Sequence, residues 1–285
     1  MTMFDGKNFA NTIEKRIKAR VAVMEKKPKI VSVLVGSDPA SELYTKLKKQ
    51  KAERVGIEFE IVRLDEGMSK KDLQERIREI GERGEVSGVM VQMPIPGITR
   101  EEQEEILEAI PLAKDVDGLR WEESGVMPAT GRAIMMILQN IADHKIQNSK
   151  SQISNNIQIQ NKNNKTGKNF WRQKFVVVGA RGSVGRPLVH YLRERGVRGV
   201  AEVEWDSEEP ARMVLAGEVV ISCVGKMGIV SAEMIADGAT VIDVGSPVGD
   251  ITKEAYEKAS VSVEVPGGVG PVTVVSLMES SLERI

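Results

Sequence analysis

Short runs of β-branched residues, each stopped by glycine or proline, recur along this chain and alternate with stretches of helical character. In the first half they are K-I-V-S-V-L-V-G (29–36), I-E-F-E-I-V-R-L (57–64) and V-S-G-V-M-V-Q-M-P-I-P (86–96). Between them lie a charged helical stretch that ends at Gly56 and another over 69–83. Parallel strands cannot be joined by a tight turn and need a crossover, usually a helix. Strand–helix–strand–helix–strand therefore predicts an α/β fold with a largely parallel sheet. In such sheets ligands collect beyond the C-terminal ends of the strands. The turn at 36–41, Gln92 and the loop P-L-A-K-D-V-D-G (111–118) all fall there.

The helix after the first of these strands carries the residues of greatest chemical interest. Asp38 can cap its free N–H groups, Pro39 suits its first position and Gly56 its end. Tyr44 and Lys48 are four apart, so they share a face, with Leu47, Lys51 and Val55 on or beside the same stripe. A lysine on a stripe that should face protein has two readings. Its ammonium reaches solvent along an apolar stem, the commoner outcome on spacing alone, or it is held beside the phenol with a pKa lowered by desolvation. Gln92 either ties down a turn or offers its amide to a partner. Asp115 and Asp117 either cap a helix or accept from the N–H groups of a ligand, and their spacing does not choose. Before all this, Phe9, Ile13, Ile17 and Val21 mark an amphipathic helix over 6–25.

Residues 130–142 read as an apolar connecting helix. The passage from Lys145 to Asn169 follows, in which 16 of 25 residues are Asn, Gln or Lys. That composition cannot fill a core and predicts a loosely ordered insertion at a domain boundary. A second α/β segment opens with F-V-V-V-G-A-R-G-S-V-G-R-P (175–187), a strand, then Gly179, Gly182 and Gly185, then an amphipathic helix. Glycines there let backbone approach a pyrophosphate at a helix N-terminus, although G-x-x-G-x-x-G misses the standard dinucleotide fingerprint by one residue. A further strand near 198–205 ends in E-V-E-W-D, and Asp206 sits where an acid can hold an adenosine ribose hydroxyl. Arg181 either meets phosphate or is an exposed turn residue. Two more strands, E-V-V-I-S-C-V-G-K (218–226) and A-T-V-I-D-V-G-S (239–246), should bring loops to the same edge. V-P-G-G-V-G-P (265–271) then admits close backbone approach before the last helix.

Composition narrows the function classes. Lys+Arg 40 against Asp+Glu 41 argues against a dedicated nucleic-acid binder. Cys223 is the one cysteine and His144 and His190 the two histidines, which cannot build a typical zinc site or a disulfide framework. No apolar run approaches about 18 residues and no apolar signal core opens the chain, so the expectation is a soluble cytoplasmic protein without membrane association.

Together these strings resemble the bifunctional methylenetetrahydrofolate dehydrogenase/cyclohydrolase (FolD) family. The resemblance rests on V-L-V-G-S-D-P-A-S-E-L-Y-T-K-L-K, V-Q-M-P-I-P, K-D-V-D-G, V-V-V-G-A-R-G-S-V-G-R-P, V-G-K-M-G, V-I-D-V-G and V-P-G-G-V-G-P-V-T. It spans nearly the whole chain apart from 145–169. It implies two α/β domains around a cleft, with 1–130 and 268–285 binding folate and 131–267 forming a Rossmann-like dinucleotide-binding domain. It implies oxidation of 5,10-methylenetetrahydrofolate by NADP, then hydrolysis to 10-formyltetrahydrofolate. Lys48 matches the essential lysine, Tyr44 the tyrosine that orders it, Gln92 its hydrogen-bond partner and Asp117 the carboxylate on the pterin. Pro266, Gly267 and Gly268 would border the folate; Gly179, Ala180, Arg181, Gly182, Gly185, Asp206 and Ser246 would meet the dinucleotide. A cytoplasmic homodimer is also implied.

Two departures qualify the match. The family's P-C-T-P-x-G appears as P-A-T-G-R-A (128–133), and acids stand where NADP-using members commonly place His, Ser or Arg. The first allows a dehydrogenase with weak cyclohydrolase activity, the second makes NAD an alternative to NADP. A non-catalytic folate- or dinucleotide-binding protein is the reading from another class.

Overall fold

The structure, a computed structural model, describes residues 1–153 and 170–284. The chain forms two compact units. One comprises Phe9–Ala129 and Thr273–Ile285, the other Met1–Asn8 and Thr130–Val272. Most of the passage 145–169, from 154 on, lies outside the described residues.

The first unit holds a three-stranded parallel sheet: β2 (Lys29–Val35), β3 (Glu58–Leu64) and β4 (Gly88–Val91), in the order β3-β2-β4. The Pro39–Val55 helix crosses from β2 to β3, and the Lys70–Glu82 helix from β3 to β4. The first crossover is bounded as its sequence demands. Asp38 accepts from Ser41 N at 2.7 Å, and Gly56 ends the helix at φ 88°, where a side chain would be strained. Central β2 is buried along almost its whole length, while edge β3 alternates, as residues covered on two faces and on one should. Val31, Val33, Leu73, Ile77, Ile106 and Ile110 belong to the core on one face of this sheet. Each such side chain contributes about 1.5–3 kcal/mol by leaving water.

The second unit contains a six-stranded sheet in the order β1-β9-β8-β7-β5-β6, every pair parallel. Its strands are β1 (Thr2–Met3), β5 (Phe175–Val178), β6 (Val200–Val203), β7 (Val219–Ser222), β8 (Thr240–Asp243) and β9 (Val261–Val263). Strand order reverses at β5, with β6 on one side and β7 on the other, the arrangement of a doubly wound dinucleotide-binding sheet.

Several boundaries differ from those expected. The strand expected over 86–96 ends at Val91, because Pro94 and Pro96 have no N–H to continue the ladder. The helix expected to stop at 142 runs from Ala129 to Ile153, carrying the backbone of the first part of the 145–169 passage as helix. Neither β1 nor β9 was anticipated from the sequence. Both are two or three residues long and have too few positions to show alternation.

Candidate active site

Lys48, Gln92 and Asp117 meet in the first unit at the C-terminal side of the β3-β2-β4 sheet. The Pro39–Val55 helix carries Lys48 in its middle. Gln92 follows β4 directly and is pinned by its own N–H, which donates to Val33 O at 2.8 Å. Its side-chain Nε2 donates to Met93 O at 3.1 Å, which leaves Oε1 to accept from Lys48 Nζ at 3.1 Å. Asp117 Oδ2 stands 4.0 Å from Lys48 Nζ, and the two side chains keep only 14% and 16% of their exposure. Gln92 thus does both things its position allowed.

Asp115 and Asp117 differ sharply in role. Asp115 is fully buried and accepts from Leu119 N, Arg120 N and Ser124 Oγ at 3.0, 3.0 and 2.8 Å. It is the brace that shapes the loop. Gly118 turns at φ 70°, and a Cβ there would lie 2.6 Å from Val126 O and Pro128 N. Ala129 N donates to Asp117 O, so the altered 128–133 segment starts directly against the Asp117 loop.

Burial pushes the Lys48 ammonium below the ordinary lysine value of 10.5, and the charge of Asp117 offsets part of this. Burial likewise pushes Asp117 above 3.8, opposed by Lys48 and reinforced by Asp115. The lysine is therefore not the solvated surface residue that spacing alone favoured. Tyr44 is 45% exposed on the same helix. Lys51, on the same stripe, pairs instead with Glu14 at 2.5 Å.

In the second unit the glycine turn follows β5. Gly179 has φ 78°, and a Cβ on it would lie 2.9 Å from Cys223 O. One on Gly185 would lie 2.1 Å from Gly179 O, so glycine is required at both. The Gly185–Glu194 helix starts here with no side-chain cap on its N-terminus. Ala180 is buried, Gly182 N donates to Gly179 O at 3.1 Å, and Arg181 is exposed. Arg181 N donates to Glu204 Oε1 at 2.5 Å and its guanidinium to Asp206 Oδ2 at 3.0 Å. A tight glycine turn feeding an uncapped helix N-terminus fits a pyrophosphate, and the acids after β6 fit a ribose. Ser246 is exposed in the loop beyond β8. Pro266, Gly267 and Gly268 belong to this second unit, before the Val269–Leu282 helix, with Gly268 N donating to Glu264 O at 2.9 Å.

Sequence reasoning missed a buried acidic network here. Asp243, at the end of β8, accepts from Gly245 N, Asp250 N, Ile251 N and the Tyr256 hydroxyl at 2.6–3.0 Å. Asp250 accepts from Ser222 Oγ and from the N–H groups of Val224, Gly225 and Lys226 at 2.8–3.2 Å. Acids just after apolar strands were the available signal. Cys223 lies among these carboxylates, and burial first, then their charge, pushes its thiol up, as an inert thiol requires.

Among the described residues no group of three or more His, Cys, Asp or Glu is placed to hold a metal, and no helix is long and apolar enough to cross a membrane.

A parallel doubly wound sheet with a glycine turn, joined in one chain to a desolvated lysine beside a carboxylate, defines an α/β protein with the sheet of a dinucleotide-binding domain and a buried amine–carboxylate pair. Family models specify it further. Residues 4–117 match the tetrahydrofolate dehydrogenase/cyclohydrolase catalytic domain, and residues 158–285 match the NAD(P)-binding domain of that family. The chain belongs to the tetrahydrofolate dehydrogenase/cyclohydrolase family. It is 32% identical over 242 residues to the bifunctional protein FolD of Staphylococcus saprophyticus, covering 81% of this chain and 75% of that one. Among solved structures, the FolD methylenetetrahydrofolate dehydrogenase/cyclohydrolase of Campylobacter jejuni superposes with a TM-score of 0.82 at 26% identity, covering 100% of this chain and 98% of the other. The Trypanosoma brucei enzyme, in complex with NADP and an inhibitor, superposes with a TM-score of 0.81 at 26% identity, covering 99% and 96%.

Proposed function

We infer that this protein oxidises 5,10-methylenetetrahydrofolate to the methenyl form with NAD(P), and hydrolyses that product to 10-formyltetrahydrofolate, in one-carbon metabolism. The bound relative and the NAD(P)-binding family model support NADP as the dinucleotide. That cofactor supplies the hydride acceptor. The chain contributes orientation, since hydride transfer needs no protein acid or base. Hydrolysis is different, because water must lose a proton and the ring nitrogen must gain one near neutral pH.

The observation that carries the hydrolytic step is Lys48: an amine with a lowered pKa, aimed by Gln92 and balanced by Asp117. In this reading Lys48 moves the proton, Gln92 orients it and Asp117 accepts from the pterin N–H groups. Tyr44 lines the folate site on the first unit. Gly179 to Gly185 hold the pyrophosphate, while Asp206 and Ser246 meet the rest of the dinucleotide. Lys48→Met tests this directly. Methenyl hydrolysis should fall by about 10²–10⁴-fold with an unchanged circular dichroism spectrum. Unaltered hydrolysis would remove Lys48 from the mechanism.

The altered 128–133 segment favours one second reading, a dehydrogenase with weak hydrolysis, because that segment abuts the Asp117 loop. Measured rates of methenyl formation and decay in one assay separate the two. The homodimeric state and a cytoplasmic location rest on the family resemblance, and light scattering tests the first.

A further inference from the structure

The loop after β7 presents three consecutive backbone N–H groups, Val224, Gly225 and Lys226, turned toward one point. Such a concave set is an anion-binding nest. The nest is already filled: Asp250 Oδ2 accepts from Val224 N at 2.8 Å and Gly225 N at 3.2 Å, and its Oδ1 from Lys226 N at 2.9 Å. Ser222 Oγ adds a fourth donor at 2.8 Å. Asp250 is itself fully buried and held by its own N–H on Asp243 Oδ1 at 3.0 Å. No phosphate can use these N–H groups. The loop is instead clamped from behind.

Its front is open. Gly225 is exposed at φ 73°, and a Cβ built on it would meet nothing within 4 Å. Its clamped backbone also abuts the glycine turn, since the Cβ position of Gly179 lies 2.9 Å from Cys223 O and 3.2 Å from Val224 N. The adenosine ribose belongs at the end of β6, on one side of β5. A dinucleotide crossing the switch point at β5 must therefore pass its other half toward β7.

We propose that Asp250 is a positioning residue for the nicotinamide half of the dinucleotide. It fixes the Val224–Lys226 backbone so that Gly225 offers a flat, rigid wall to the ring. The proposal rests on the reading above that this unit binds a dinucleotide. It assigns Asp250 no contact with the cofactor.

Asp250→Asn in the full chain tests it. The amide must point its NH₂ at one of the N–H donors, which opens the nest while keeping volume. Binding of NADP and of 2′,5′-ADP, which carries only the adenosine half, would be measured with methenyl hydrolysis and a thermal melt. NADP should bind about tenfold more weakly, the loss expected for charge-assisted hydrogen bonds. Affinity for 2′,5′-ADP and the hydrolysis rate should stay within about twofold, inside ordinary mutational scatter. Equal weakening of both probes, or unchanged NADP binding with a lower melting temperature, would overturn the proposal and leave Asp250 a purely structural clamp. Should Asp250→Asn fail to fold, Ser222→Ala removes one donor alone and should weaken NADP about threefold without touching 2′,5′-ADP; unchanged NADP binding there would equally overturn it. Failure of the dinucleotide reading itself is distinct, because the wild-type protein would then bind neither probe.

Discussion

Asp117→Asn offers the sharpest test of how the lysine is tuned. Two opposite charges 4.0 Å apart attract by about 4 kcal/mol at an effective dielectric of ~20 and by about 1 kcal/mol in bulk water. Both side chains keep a little exposure, so the true value lies between these limits. The loss of Asp117 therefore lowers the Lys48 pKa further. The sign is set by the causes: burial lowers this pKa and Asp117 is what raises it. Neutral Lys48 then persists to lower pH, and the limb of the hydrolysis profile that follows its ionisation moves toward acid. The assay is methenyltetrahydrofolate decay by absorbance at saturating substrate from about pH 5 to 10, with Lys48→Met as background. Because Asp117 also grips substrate in this reading, KM will rise, but the position of the limb in kcat is independent of that loss. A limb that stays in place or moves toward alkali would refute the coupling. Stability follows the same linkage. Wild-type Asp117, raised above 3.8, costs stability as pH rises from that value through its folded pKa, and Asn removes this dependence.

Gly185→Ala places a Cβ 2.1 Å from Gly179 O, so the turn must shift; NADP affinity should fall at least about tenfold while methenyl hydrolysis holds, and tight NADP binding by the variant would refute the cradle. Asp206→Asn releases Arg181 from its ion pair and should lower KM for NADP relative to NAD by about threefold, the scale of an exposed pair; equal changes for both cofactors would show that Asp206 takes no part in the choice. Arg83 grips Glu60 through both nitrogens at 2.8–2.9 Å and holds its carboxyl down to about 2. This contributes stability above pH 4.5 that is lost as pH falls toward 2, about 1 kcal/mol once discounted for exposure. Arg83→Met should flatten that part of the acid melting curve, and an unchanged curve would assign the acid transition to other carboxylates.

The parallel architecture was legible because it rests on signals that survive averaging over a window. β2, β5, β7 and β8 each read as a buried β-branched run, and all four are strands with interiors fully covered. Capping chemistry was equally local: Asp38, Pro39 and Gly56 bound their helix from sequence alone. What was lost has a common cause. β1 and β9 are too short for a pattern, and they become strands because each pairs with a neighbour already in place. The Asp243–Asp250–Tyr256 network shows in the sequence only as an acid ending an apolar strand, not as a network. Its spacing follows no helical or strand period, since it is closed by loop backbone whose course only the fold determines.

Lys48 shows where local reading stops and tertiary structure takes over. Four lysines crowd the Pro39–Val55 helix, and periodicity puts both Lys48 and Lys51 on the inner stripe. Both are in fact partnered inward, yet by different groups. Lys51 meets Glu14 at 2.5 Å, a charge fully matched at close range, while Lys48 meets a neutral amide at 3.1 Å and a carboxylate only at 4.0 Å. A desolvated amine whose nearest partner is neutral gives its proton up more easily, the property a proton transfer near neutral pH uses. The distinction is made by which residue stands opposite, 37 positions away for Lys51 and 44 for Lys48, so no window on the helix itself could have drawn it. Exchanging the environments tests the point: Gln92→Glu puts a second negative charge on Lys48 Nζ, raises its pKa and should carry the hydrolysis limb toward alkali by about one unit or more, opposite to Asp117→Asn. The same direction in both variants would mean that the limb belongs to some group other than Lys48.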